Sequence, residues 1–225
     1  MGHVSFYTAL NFHGDPNVGL YGFATNRFCL LGPTSEKAKK LHEILKVPIH
    51  NVSVLHLDLI RILITGNSHG IVVPNFLVDR DIASLEHALA KHNANIHVLD
   101  TEQAVGNLMI INDKGIIIPP ILRRFQNELE KFFGLKCGVT AIAGLQSLGS
   151  LGIATNKGCL VHPQIKDSEA KIIESVLGVP LDVGTVNFGS PYPGSGIIAN
   201  IHGFAAGSST SGPELGRIAE TLGFD

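Results

Sequence analysis

Apolar runs along this chain are interrupted by short polar steps in a pattern that occurs five times. The segments are GFATNRFCLLGP (22–33), LITGNSHGIVVP (63–74), LMIINDKGIIIP (108–119), LGIATNKGCLVHP (151–163) and GIIANIHGFAAG (196–207). Each has an apolar or small lead-in, an Asn, a polar step and a second apolar run. The Asn residues are Asn26, Asn67, Asn112, Asn156 and Asn200, spaced by 41, 45, 44 and 44 residues. In the first four segments a Pro stands seven residues after the Asn, as Pro33, Pro74, Pro119 and Pro163. The pattern predicts two strands joined by a tight turn. Asn and Gly tolerate positive φ and Asn bonds its own backbone, while Pro, which has no N–H, stops the second strand.

Helical spacing follows each hairpin. Residues 34–46 place Leu41, Ile44 and Leu45 on one face, and 79–92 do so with Ile82, Leu85 and Leu89. Residues 122–134, 167–178 and 211–223 continue the series. Ser211 with Glu214 can form a capping box, and Pro213 lies in the first turn. A further strand-like segment follows four of the helices, at 47–55, 94–99, 136–143 and 179–186, whereas the fifth helix ends near the last residue. An extra strand-like piece at 3–10 has no helix before it. The expected fold is therefore α/β: five repeated strand-strand-helix-strand units of about 44 residues in one domain, 1–225, closed into a ring by the N-terminal strand.

Composition narrows the function. Hydrophobic residues make up 44% and charged residues 16% of 225, which describes an ordered globular chain. Lys plus Arg number 17 against 19 Asp plus Glu, so no global basic field grips nucleic acid. Lys37, Lys39, Lys40, Arg123 and Arg124 remain as local basic positions. No apolar stretch reaches the length of a membrane span and no signal-like N-terminus is evident, so a cytoplasmic monomer is expected.

Little of the chain carries reaction chemistry. Cys29, Cys137 and Cys159 make neither a Cys-x-x-Cys pair nor an even disulfide set. Counted from the repeated Asn, Cys29 and Cys159 fall opposite Gly70, Gly115 and Gly203, which favours a packing slot. Eleven histidines without metal-site spacing give no case for zinc. GSPYPGSG (189–196) has no phosphate-loop lysine. No cofactor and no catalytic residue is expected.

The segments GNSHGIVVPN (66–75), GNLMIINDKG (106–115), GSLGIATNKGCLVHP (149–163) and GTVNFGS (184–190), followed by GSGIIAN and STSGPEL, resemble the translation initiation factor 6 family across essentially the whole chain. The archaeal form fits best, since nothing like the eukaryotic form's tail follows Phe224 and Asp225. The resemblance implies the pentein, or beta-alpha propeller, fold with five-fold pseudosymmetry. It also implies a non-catalytic factor that binds the intersubunit face of the large (50S) ribosomal subunit and blocks the small subunit sterically. Ribosomal protein uL14 and rRNA near the sarcin-ricin loop are the implied partners. Pentein hydrolases and transferases that attack guanidine substrates through a Cys nucleophile supply the alternative.

The family's binding end carries over to the segments just before each hairpin. Counting five back from each Asn gives Tyr21, Ile62, Asn107, Leu151 and Ser195, with Gly19, Gly106, Ser150 and Gly196 beside them. Asn107 offers a donor and an acceptor, and an exposed Leu151 would supply an apolar centre. The second unit departs from its relatives at LHLDLIRIL (55–63), where a local Asp58–Arg61 ion pair is expected.

Overall fold

The computed structural model describes residues 5–33 and 35–224, without the side chains of Ser35 and Glu36. His3 and Val4 of the expected first strand and Thr34 of the first expected helix lie outside the described residues.

After β1 (Tyr7–Leu10), the first unit runs β2 (Gly22–Ala24), β3 (Cys29–Leu31), α1 (Ser35–Leu45), β4 (Ile49–Asn51). The second is β5 (Thr65–Asn67), β6 (Gly70–Pro74), α2 (Asp79–Leu89), β7 (Asn95–Leu99), and the third β8 (Ile110–Ile111), β9 (Gly115–Ile118), α3 (Gln126–Phe133), β10 (Lys136–Val139). The fourth is β11 (Gly152–Ala154), β12 (Cys159–Val161), α4 (Asp167–Leu177), β13 (Leu181–Val183), and the fifth β14 (Ile197–Ala199), β15 (Phe204–Gly207), α5 (Gly212–Leu222). In the first four units the first two strands pair antiparallel and the third pairs parallel to the second, the helix making the crossover. The fifth sheet takes its third strand from β1, which pairs parallel to β15.

Closure into a ring does not hold for the sheet. The ladders are five separate three-stranded sheets, and none closes on itself. The physical reason is that the first hairpin strands, β2, β5, β8, β11 and β14, are each the edge of their own sheet. Units are joined by apolar packing instead. The middle strands are buried on both faces, and alternate residues serve different cores. Leu30 of β3 enters one cluster with Ile71, Val73 and Leu85 of the next unit, while Cys29 and Leu31 enter another with Leu41 and Leu45 of their own helix. Ile117 between Ile116 and Ile118, and Leu160 between Cys159 and Val161, divide in the same way.

The hairpin turns share one end of the molecule, and their register corrects the sequence count. Thr25, Asn67, Asn112, Thr155 and Asn200 all occupy the first turn position. Each accepts backbone N–H groups two or three residues on, at 2.9–3.3 Å. Asn26 and Asn156 sit one place later, equivalent to Ser68, Asp113 and Ile201. The one-residue slip arises because a Thr hydroxyl accepts the same bonds as an Asn carbonyl. Only the Asn amide reaches onward: Asn112 donates to Thr155 O and Leu177 O at 3.0 Å, and Asn200 to Thr25 O at 3.0 Å and Leu45 O at 2.8 Å.

Positive φ is not used in these turns either. The turn glycines answer to space: a Cβ on Gly115 would collide with Val176 O, and one on Gly158 with Thr221 O. With the register corrected, Cys29 and Cys159 stand opposite Ile71, Ile116 and Phe204 rather than the glycines, and both are fully buried. Lys157 has a structural duty. Its Nζ donates to Gly223 O at 3.2 Å and lies over the Phe224 ring, finishing α5 as Lys114 finishes α4 through Gly178 O at 3.1 Å.

Candidate functional site

The opposite end is built by five short helical turns, Val18–Leu20, Ile60–Leu63, Val105–Leu108, Leu148–Leu151 and Pro193–Gly196, each leading into the first hairpin strand of its unit. Consecutive turns touch, and the last touches the first. In the corrected register, three positions recur. Gly19, Arg61, Gly106, Gly149 and Gly194 form the contact position. A Cβ on Gly149 would collide with Gly106 O, one on Gly194 with Gly149 O, and one on Gly19 with Gly194 O.

The next position, Leu20, Ile62, Asn107, Ser150 and Ser195, is partly exposed in all five units. The one after it, Tyr21, Leu63, Leu108, Leu151 and Gly196, turns inward. Leu151 is 0% exposed and packs with Leu148 and Ile173, so the expected exposed apolar centre is absent there. Tyr21 is also buried, its ring 4.9 Å from that of Phe12 and its hydroxyl donating to Asp15 at 3.3 Å. The sequence count mixed the outward and inward positions, because Asn26 and Asn156 carried the slip described above.

The structure thus brings Ile62, Asn107, Ser150 and Ser195 together on the outward side, adds Leu20, and assigns Gly19, Gly106 and Gly196 to the buried framework. The Ser150 hydroxyl donates to Asn107 Oδ1, linking two units across the surface. Aligning the hairpins by their strand pairs, rather than by Asn, is the signal that finds Leu20.

Beyond the short turns stand four reverse turns with positive φ: His13–Gly14, Leu55–His56, Ala143–Gly144 and Asn187–Gly189. Each follows a third strand, which runs parallel to the second hairpin strand and so ends where the first hairpin strand begins. These turns therefore share the end just described. Leu57, Leu145 and Phe188 leave it exposed, Phe188 at 86%. An acid from the following helix holds three of them. Asp81 accepts Leu55 N–H at 3.3 Å, Glu169 accepts Ala143 N–H at 2.8 Å, and Glu214 accepts Phe188 N–H at 3.1 Å and Gly189 N–H at 2.8 Å. Burial alone would raise the Glu214 pKa, but these bonds and those from Ser211 and Thr185 hold it down to about 2. The sequence motif Ser211–Glu214 was legible as a capping box; its second duty to the Phe188 turn was not.

Arg61 replaces the glycine of the other contact positions. It does not pair with Asp58, which lies 3.9 Å from His13 Nε2 instead. Its guanidinium donates to Gly106 O and, at 3.4 Å, to Met109 O, in the channel enclosed by the five inner strands. Burial pushes its pKa down to about 10, which leaves it charged at neutral pH.

Nucleophilic chemistry finds no footing. Burial pushes the thiols of Cys29, Cys137 and Cys159 up to about 12, so none offers a thiolate near neutral pH. His162 is buried, and its Nδ1 accepts the N–H of Gln164 at 3.0 Å. Among the described residues no three His, Cys, Asp or Glu side chains gather to hold a metal, and no helix is long and apolar enough to cross a membrane.

The sequence profile of the eIF-6 family matches residues 7–221. The chain belongs to the eIF-6 family. Translation initiation factor 6 of Pyrococcus horikoshii is 37% identical over 221 residues, spanning 96% of this chain and 97% of that one. The factor of Methanococcus vannielii is 36% identical over 217 residues, spanning 94% and 96%. A solved structure of a dimethylarginine dimethylaminohydrolase aligns over 74% of this chain and 67% of that one, at 11% identity and a TM-score of 0.49, too low to carry an argument. As a member of the eIF-6 family the chain is a ribosome-binding translation initiation factor and not an enzyme.

Proposed function

We propose that this chain binds the intersubunit face of the large (50S) ribosomal subunit and blocks small-subunit joining by steric occlusion, as a cytoplasmic monomer. Ribosomal protein uL14 and rRNA near the sarcin-ricin loop are its proposed partners. The observation that carries the proposal is the convergence of Leu20, Ile62, Asn107, Ser150 and Ser195, from five distant stretches, on one end of a family member. Among the residues first singled out, Gly19, Tyr21, Gly106, Leu151 and Gly196 serve as the buried frame that holds this surface, and Ile62, Asn107, Ser150 and Ser195 make the contact.

An amide and two hydroxyls beside two aliphatic side chains suit a protein partner at the centre. With a formal charge of -2, shape and protein contact contribute more than nonspecific attraction to RNA. Co-sedimentation with 50S particles and a subunit-joining assay test the proposal. The double variant Ile62→Glu, Asn107→Ala should stay folded and lose inhibition of joining; full inhibition by the folded double variant would remove this surface from the mechanism.

A further inference from the structure

The channel along the middle of the molecule holds a guanidinium that makes no ion pair among the described residues. It is lined by the inner strands of all five units, among them Gly22, Thr65, Ile110, Gly152 and Ile197, and Arg61 is the charged side chain at this end. Two of the five guanidinium N–H groups meet carbonyl oxygens, on Gly106 and Met109. Among the described residues no carboxylate lies within ion-pair distance of Arg61. Asp113, whose carboxylate is the acid lining the far half of the channel, is already engaged by Asn26, Ser68 and Asn156. A half-buried cation without an ion-pair partner is only partly compensated by two carbonyl groups. The first hairpin strands, each the edge of its own sheet, line this channel.

We propose that the channel beside Arg61 is a binding site for one small monovalent anion, of the size of chloride or formate. The cavity is about 40 Å³, and on that measure one water needs about 10–15 Å³. The space therefore suits an ion of a few atoms and excludes a sugar acid or a nucleotide. A planar guanidinium with free N–H groups matches a carboxylate-like oxyanion in particular. The site belongs to the second unit alone, because the equivalent positions in the other four are Gly19, Gly106, Gly149 and Gly194. The anion neutralises the seam between the second and third units, where the Arg61 side chain reaches the Gly106 turn.

The experiment compares thermal unfolding of the full chain and of Arg61→Gly, which restores the residue used at the four equivalent positions. Formate is raised from 1 to 300 mM while gluconate keeps the ionic strength constant. The wild-type midpoint should climb with the logarithm of formate concentration, as linkage requires for a ligand of the native state, and the R61G midpoint should stay level. A flat wild-type curve, or parallel curves for the two proteins, overturns the proposal. If R61G does not fold, wild-type crystals soaked in sodium bromide decide: an anomalous peak against the guanidinium supports the site, and a channel without one removes it. Neither measurement involves the ribosome, so the result is independent of the proposed function.

Discussion

Asp113 and Asn156, from neighbouring units, bond each other in both directions: the Asn156 amide donates to Asp113 Oδ2 at 2.8 Å, and Asp113 N–H donates to Asn156 Oδ1 at 3.0 Å. The same carboxylate accepts Asn26 Nδ2 at 2.7 Å, Ser68 N–H at 2.9 Å and Ser68 Oγ at 3.0 Å. One side chain thus ties four units at the hairpin end.

Asp113→Ala strands these donors together. Hydrogen bonds to a charged acceptor contribute about 1.5–3 kcal/mol each and are not additive, so a total loss of about 2–4 kcal/mol is expected. Urea unfolding measures it. Binding to 50S particles should be unchanged at temperatures where the variant is folded, because the proposed contact lies at the other end.

Glu214 makes stability depend on acid. Its folded pKa, about 2, lies below the ordinary value of 4.5, so its contribution is complete above the unfolded pKa and is lost as pH falls from about 4.5 towards 2. The shift corresponds to on the order of 3 kcal/mol at neutral pH. Glu214→Gln should lower stability at pH 7 and flatten the pH dependence in that window. A denaturation series from pH 7 to pH 2.5 checks both, and identical slopes would show that the carboxylate is not the source.

Leu151 and Ile62 separate frame from surface. Leu151→Ala opens a cavity in a fully buried position and should cost about 2–5 kcal/mol. Ile62→Glu, on the partly exposed outward position, should change stability by less than about 0.5 kcal/mol and still weaken the grip on the 50S subunit. Calorimetry beside co-sedimentation distinguishes them; a binding loss for Leu151→Ala under fully folded conditions would contradict the division.

Gly149→Ala pushes a methyl group into the carbonyl of Gly106. Overpacking of this kind costs about 1–3 kcal/mol, and here it also pries apart two of the turns proposed to bind. Gly216→Ala, in an open helical position, serves as the control and should be neutral or slightly stabilising.

Much of this protein was legible in its sequence. Apolar runs broken by polar steps, one-faced helices and the recurrent Asn and Pro determined the number of units, the hairpins and the helices, since these depend on residues close together in the chain. The separation of the ladders into five sheets and the division of each middle strand between two cores depend on residues of neighbouring units. Local pattern is silent about such partners. The one-residue slip at Asn26 and Asn156 shows why: Thr and Asn satisfy a turn equally, and only the strand pairing reveals which residue holds which place. That placement buried Leu151, left Leu20 partly exposed beside Ile62 and Asn107, and turned Arg61 from a partner of Asp58 into a half-buried cation lining a channel, because tertiary packing decides which side of a short turn meets water.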